Sequence, residues 1–371
     1  MRVLVTGGAG FIGSHLVDAL VRDGHQVRVL DNLEEQVHGG KPPTYLNDKA
    51  EYRWGDLRER HVTRESLRGI EVVFHEAAAV GVGQSMYQIE KYASSNVMGT
   101  ATLLDIIVND RVPIKKLIVA SSMSLYGEGQ YRCAACGPVF PSLRSEERLR
   151  ARTWEMDCPT CHQEVRAEAT REDKPLAPTS VYAVSKRDQE ELVLSIGHGY
   201  RIPAVALRYF NVYGPRQSLS NPYTGVCAIF SARIKNGNPP LVFEDGLQSR
   251  DFVHVGDIVQ ANLLAMQKSE ADGQVFNVGT GRAISILEIG RMLGRLYGSS
   301  VQPTMNQKFR TGDIRHCFAD ISKIKSRLGF QPSVTLEDGL RALVEWGKQV
   351  EAEDRVEQAA KELEARGLTS G

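Results

Sequence analysis

The sequence predicts an α/β protein: a doubly wound parallel sheet, a smaller carboxyl-terminal α/β domain, and an inserted loop carrying four cysteines. Three observations predict it. Short apolar strands alternate with amphipathic helices through the first third of the chain. A glycine-rich turn follows the first strand directly, and an acid closes the second.

Val3-Leu4-Val5 reads as a buried strand, and Gly7, Gly10 and Gly13 follow at three-residue spacing. Gly7 permits the tight turn and Gly10 lets backbone approach a pyrophosphate. Gly13 lets the next helix pack closely on the sheet. That helix, predicted over 12–23, presents Ile12, Leu16 and Leu20 to the sheet, and its start at Phe11 and Ile12 offers free N–H groups to phosphate. A second strand runs from Val27 to Leu30 with Asp31 at its carboxyl end. A carboxylate there accepts hydrogen bonds from both ribose hydroxyls and repels a 2′-phosphate, which favours NAD over NADP. The glycine spacing alone also fits a plain strand–helix turn. The strand before it, the helix after it and the acid turn the reading towards a dinucleotide.

The rhythm continues with a strand over Val72–His75, a helix over Val97–Val108 and a strand over Leu117–Ala120. Ligands of such sheets lie beyond the carboxyl ends of the strands. This directs attention to Asn32, Asp56-Leu57, Ala77-Ala78-Ala79 and Ser121-Ser122. Asp56 suits an adenine amino group, and the small side chains at 77–79 leave room for a cofactor.

Tyr182 and Lys186 stand four residues apart, on one face of a predicted helix. A nearby cation favours the phenolate, so the spacing predicts a lowered Tyr182 pKa and a general base working near neutral pH. Lys186 also suits the nicotinamide ribose, and Ser122 at its strand end suits the same substrate oxygen as Tyr182.

Forty-five basic and forty-five acidic residues cancel, so no net field recruits nucleic acid or an anionic membrane. No apolar run approaches the length of a bilayer span. With the first strand at residue 3 no targeting leader is expected, and a reducing, cytoplasmic setting follows as the expectation. There, Cys133-Ala-Ala-Cys136 and Cys158-Pro-Thr-Cys161 read as ligands of one structural zinc rather than as disulfides. A thiol redox pair lacks the strand–helix context it needs. His162, beside Cys161, is an alternative ligand.

Taken together, TGGAGFIGSHL (6–16), HEAAAVGVGQS (75–85), ASSMSLYG (120–127), YAVSK (182–186), ALRYFNVYGPRQ (206–217), SRDFVHVGDI (249–258), FNVGTG (276–281) and the stretch 311–330 resemble the extended short-chain dehydrogenases/reductases. The similarity is to their NAD-dependent nucleotide-sugar epimerase/dehydratase group. It implies a Rossmann-type domain of 1–127 and 173–208 and an insertion of 128–172. It further implies a substrate domain mainly of 209–345, with parts returning to the sheet. The tail of 346–371 alternates charged residues with Val350, Val356, Ala359 and Leu363, and reads as a mostly exposed helix or one packed on the core. The resemblance implies Tyr182, Lys186 and Ser122 as catalytic residues. Asn96, Ser121 and Tyr209 join the cofactor set. Ser85, Asn211, Arg216, Arg250 and Arg315 join the nucleoside-diphosphate-sugar set, the arginines as forks for phosphate. Tyr223, Val226, Phe230, Leu241 and Phe243 are candidate walls for the base. Glu244 stands where relatives commonly have glycine, and Asp257 reads as a structural acid. The group also implies a homodimer through the Tyr182 helix and the helix near 97–108.

The group separates its reactions just after the serine. Dehydratases carry Asp and Glu at the positions of Met123 and Ser124, and decarboxylases carry Glu at the second; neither pattern is present here. Hydride transfer with a single phenol remains, which suffices for 4-epimerisation. The insertion and the run Ser220-Asn221-Pro222-Tyr223-Thr224-Gly225 most resemble the 4-epimerases of dTDP-L-rhamnose. UDP-glucose or UDP-glucuronate 4-epimerisation, a dehydrogenase or 4-ketoreductase, and a silent NAD-binding scaffold are the alternatives.

Overall fold

Seven strands, β1 (Arg2–Thr6), β2 (Gln26–Asp31), β3 (Glu51–Trp54), β4 (Val72–His75), β5 (Lys116–Ser122), β6 (Ala204–Tyr209) and β7 (Gln274–Val278), form one parallel sheet in a computed structural model that describes residues 1–310 and 312–370. Their order is β7-β6-β5-β4-β1-β2-β3, with Val5 level with Val29 and Phe74. Alternate residues of each strand face opposite sides. Val3 and Val5 join Leu16 and Leu20 of helix α1 (Phe11–Arg22) and Ile258 and Ala261 of the helix Val255–Gln267 in one core. Leu4, Val73 and Leu117 meet Leu67, Leu103 and Val193 on the other side. Val193 belongs to helix α2 (Val181–Tyr200). Both faces are covered, which is why the central strands are apolar throughout.

The helix expected over 97–108 begins earlier, with a wide turn at Ala93–Met98 leading into Gly99–Asn109. The wide turn places Asn96 to bridge two elements. Its Oδ1 accepts from the Ala79 N–H at 2.7 Å, and its Nδ2 donates to the Ala79 carbonyl and to Ser185 Oγ.

Residues 128–172 carry a small sheet of their own and also pack on the later chain, with Leu149 and Trp154 against Phe309. The strand Gln130–Cys133 lies between Gly137–Val139 and Val165–Glu168, antiparallel to both, over a small core of Tyr131, Val139, Met156 and Val165. A third core lies where helices α3 (Val226–Lys235), α4 (Ile286–Tyr297) and α5 (Leu336–Gln349) meet around Phe230, Leu293, Leu340 and Leu343.

Of the two expected arrangements of the tail, the packed one is found. Helix α6 (Val356–Glu364) folds back with Ala359 and Leu363 buried, and Thr369–Ser370 pairs antiparallel with Phe309–Arg310. The cause is polar as well as apolar: Glu362 accepts hydrogen bonds from the Tyr87 and Tyr223 hydroxyls, both at 2.9 Å, while Leu363 leans on Gly83. Among the described residues no helix is long and apolar enough to cross a membrane.

Candidate active site

A cavity of about 670 Å³ opens at the carboxyl ends of the strands, between the sheet and the helices α3 and α6. Gly7, Gly10, Phe11, Ile12 and Gly13 line one part of it. Gly7 has φ of 69°, and a methyl group on it would sit 2.8 Å from Ala77 Cα; one on Gly13 would sit 2.2 Å from the Gly7 carbonyl oxygen. Gly10 caps α1 without a side chain, leaving the first-turn N–H groups to a ligand. Asp31 is buried at the end of β2 and accepts from the N–H groups of Ala9 (3.0 Å) and Leu33 (2.9 Å). Such a cradle fits a dinucleotide.

Asn32, Asp56, Leu57, Ala77, Ala78 and Ala79 continue the lining. Asp56 is already engaged: Arg58 grips both its oxygens at 2.8 Å and Asn32 donates at 3.0 Å, which together hold its pKa down at about 2.

Deeper in, Ser121, Ser122, Tyr182, Lys186 and Tyr209 meet. Ser122 ends β5 and caps the short turn Met123–Tyr126. Its Oγ accepts from the Ser124 N–H at 3.1 Å and from the Ser124 hydroxyl at 2.9 Å. Ser180 caps α2, which sets Tyr182 in the first turn and Lys186 one turn on. The Tyr182 ring meets the edge of Tyr92, with centroids 6.3 Å apart.

The phenol departs from expectation. Desolvation pushes the Tyr182 pKa up, with only the nearby Ser122 hydroxyl working against it. Lys186 is itself buried, donates to Gln189 Oε1 at 2.7 Å, and has its pKa lowered to about 8 by desolvation, against the pull of Glu76 and Glu190. Helical spacing places cation and phenol on one face; it does not report how much water each has lost.

Two expected contact residues act from behind the lining rather than on it. Ser85 Oγ accepts from the Tyr182 N–H at 3.0 Å, and Asn96 secures Ala79. Neither is among the cavity-lining residues.

On the substrate side, Asn211, Tyr223, Val226, Phe230, Leu241, Phe243 and Arg250 all line the cavity. The Asn211 Oδ1, Gln217 Oε1 and Gln248 Oε1 atoms are buried without a partner in the protein. Three orphaned acceptors around one cavity fit a ligand rich in O–H and N–H donors. Two expected arginines stand elsewhere. Arg216, with φ of 67°, pairs with Asp18 of α1 at 2.8 Å and lies over the Tyr45 ring. Arg315 is wholly buried among Glu155, Asp245 and Glu244, with no face to the cavity. Glu244 has φ of 53°, a left-handed backbone of the kind that favours glycine. Its carboxylate is held by Arg144 at 2.8 and 2.9 Å. Asp257 accepts from the N–H groups of Ser333 and Val334 and from the Ser333 hydroxyl, so its role is structural but tied to a distant segment and not to the local backbone expected.

Sequence reasoning missed Glu76, Arg310, Asp313 and the tail, all of which line the cavity. Glu76 receives the Tyr209 hydroxyl at 2.8 Å, and burial lifts its pKa to about 7. An acid between a strand end and a run of alanines was the available signal. Arg310 lies over the Phe243 ring and donates to Asp313, with no local motif to mark either.

Away from the cavity, the Cys133, Cys136, Cys158 and Cys161 sulfurs lie within 4.8 Å of one another. Tetrahedral thiolates 2.3 Å from zinc stand about 3.8 Å apart, so the cluster has the dimensions of a metal site. His162 is exposed and is not part of the cluster.

Comparison with known proteins agrees with this geometry. A model described as the NAD dependent epimerase/dehydratase family matches residues 3–143, and one described as GDP-mannose 4,6 dehydratase matches 163–343. The gap between them lies within the cysteine-bearing insertion. A dTDP-L-rhamnose 4-epimerase of Burkholderia thailandensis is 35% identical over 93% of this chain and 94% of its own. A UDP-glucose 4-epimerase of Thermotoga maritima, solved with UDP-glucose, has a TM-score of 0.77 at 32% identity, covering 94% of this chain and 99% of that one. A UDP-glucuronic acid 4-epimerase from Bacillus cereus, solved with UDP-glucuronic acid and NAD, has a TM-score of 0.77 at 29% identity over 94% and 99%.

Proposed function

The chain belongs to the NAD-dependent epimerase/dehydratase family, and from that premise we propose that it is a nucleotide-sugar 4-epimerase working through a transient 4-keto sugar with tightly bound NAD. One observation carries the reading. Ser122, Tyr182 and Lys186 converge at the cavity, while Met123 and Ser124, next after the serine, offer no carboxylate for eliminating water.

Gly7, Gly10, Phe11, Ile12 and Gly13 would hold the pyrophosphate of NAD, Asp31 its adenosine ribose and Lys186 its nicotinamide ribose. Bound there, NAD would supply reversible hydride acceptance at C4 of the sugar and a positive charge that favours a phenolate at Tyr182. Tyr182 removes the proton of the 4-hydroxyl, with Ser122 hydrogen-bonding the same oxygen. The keto sugar then turns over about its diphosphate, held by Arg250, and Tyr182 returns the proton to the new alcohol. Asn211, Gln217 and Gln248 provide acceptors for substrate donors during both halves. A fixed tether makes one proton-transfer group sufficient.

Within this reading the substrate pair is dTDP-L-rhamnose and dTDP-6-deoxy-L-talose, supported by the Burkholderia relative and by the apolar wall of Phe230, Leu241 and Phe243. UDP-glucose and UDP-glucuronate are the competing pairs, favoured by the solved neighbours. Residues 1–127 with 173–208 would bind NAD, and 209–345 mainly the sugar nucleotide. One structural zinc would close the insertion through Cys133, Cys136, Cys158 and Cys161. The enzyme would act in the cytoplasm as a homodimer; Met98, ending the wide turn before Gly99–Asn109, and Val184 in α2 are exposed and suit such a contact. Incubation with a panel of these nucleotide sugars, read by proton NMR, tests the assignment. C4 inversion of dTDP-L-rhamnose alone is expected; inversion of no nucleotide sugar would overturn it.

A further inference from the structure

Arg250, which the reading above assigns to the diphosphate, owes its direction to a short segment behind it. Its Nη1 donates to the carbonyls of Ser249 (2.8 Å) and Arg315 (3.0 Å). Its Nη2 donates to the Ile314 carbonyl (2.7 Å) and the Asp313 carboxylate (3.1 Å). Three of these four acceptors belong to residues 313–315.

The cysteine-bearing insertion grips that segment from the opposite side. Glu128, at the root of the insertion, accepts from the N–H groups of Arg315 (2.7 Å) and His316 (2.8 Å). The buried Arg315 side chain donates through Nε to Glu155 of the insertion at 3.0 Å, and to Asp245 at 2.7 and 2.9 Å. The other Glu155 oxygen lies 3.1 Å from His316 Nε2. Arg144, also in the insertion, reaches Glu244 on the far side of the same cluster. Buried guanidiniums and carboxylates tolerate burial only while paired, so insertion and substrate domain separate at the cost of stranded charge. Glu155 is three residues from Cys158, and Met156 between them is packed in the insertion's own core.

We propose that Glu155 and Arg315 are positioning residues: through residues 313–316, the insertion fixes Arg250, whose four Nη hydrogens are given to the protein, so that its Nε–H and its charge are left for the substrate diphosphate. Affinity for the nucleotide sugar then depends on the insertion, while proton transfer at Tyr182 does not. The proposal rests on the assignment of Arg250 to the diphosphate.

The test is a double-mutant cycle read by calorimetric binding of dTDP and UDP, with kcat, KM, NAD content and melting temperature measured alongside. Glu155 is half-exposed, so Glu155→Gln keeps the fold. The expected result is at least a fivefold rise in Kd for dTDP and UDP and in KM for the sugar nucleotide. NAD content and kcat stay within twofold, and Glu155→Asp recovers part of the loss. Adding Glu155→Gln to Arg250→Ala then weakens binding no further. Unchanged affinity in Glu155→Gln overturns the proposal, as do losses that simply add. Unchanged affinity in Arg250→Ala removes the diphosphate assignment itself, and the proposal with it.

Discussion

Gly13→Ala measures how closely α1 must approach the phosphate turn. The added methyl would lie 2.2 Å from the Gly7 carbonyl oxygen and 2.8 Å from Gly8 Cα. Both obstacles are backbone, so no side chain can rotate away. Restoring an ordinary contact moves the helix back by roughly 1 Å, which a close-packed interior resists. Overpacking of this kind costs about 1–3 kcal/mol, or roughly 1–4 °C in melting temperature for a chain of this size. Binding suffers more. First-turn N–H groups displaced by that distance lose one or two charge-assisted hydrogen bonds, about 1.5–3 kcal/mol each, which lowers NAD affinity by roughly 10- to 10⁴-fold. The assay is NAD retained per chain after gel filtration, together with thermal melting. Gly199→Ala is the control: it lies in α2 with nothing within 4 Å of the new methyl, and should be neutral or mildly stabilising. A Gly13→Ala protein with unchanged melting and a full complement of NAD would refute the argument.

Tyr182→Phe should lower kcat by about 10²- to 10⁴-fold with NAD content and melting near wild type, because only a proton-transfer group is lost. Burial, helped by the Lys186 charge, drags the His75 pKa from 6.5 to about 3. A depressed pKa contributes stability above pH 6.5 that is lost as pH falls towards 3. Urea unfolding near pH 7 and near pH 5 should therefore differ by about 2 kcal/mol from this group, and His75→Gln should flatten that slope. Elemental analysis of freshly reduced protein should find one zinc per chain, absent in Cys158→Ser; a zinc-free wild type would exclude the metal. Removing residues 352–371 uncovers Tyr87 and Tyr223, and should raise KM severalfold more than it lowers kcat, as steady-state kinetics would record.

The geometry of the glycine-rich turn was legible in sequence because its requirements are local: three glycines, a strand before, a helix after. Tyr182 and Lys186 were legible because helical spacing alone puts them on one face. Arg315 was not, since its partners Asp245 and Glu155 lie 70 and 160 residues away, and a lone arginine near a binding motif looks the same whether it meets phosphate or buried carboxylates. Arg216 was misplaced for the same reason, its acid lying back in α1. The Tyr182 pKa failed differently: the sign depends on the water lost, and only the assembled cavity reports that. Glu244, where the resemblance led one to expect glycine, is explained only by its left-handed backbone together with its pairing with Arg144.

A hydride removed from C4 and returned to the same carbon is the central claim, and its isotope tests it most directly. The nucleotide sugar is prepared with deuterium at C4, incubated with enzyme in ordinary water, and both epimers are isolated and examined by NMR and mass spectrometry. Full retention of deuterium at C4 in the inverted product, with no accumulation of reduced nicotinamide, is the predicted result. Inversion accompanied by loss of that deuterium to water would contradict it.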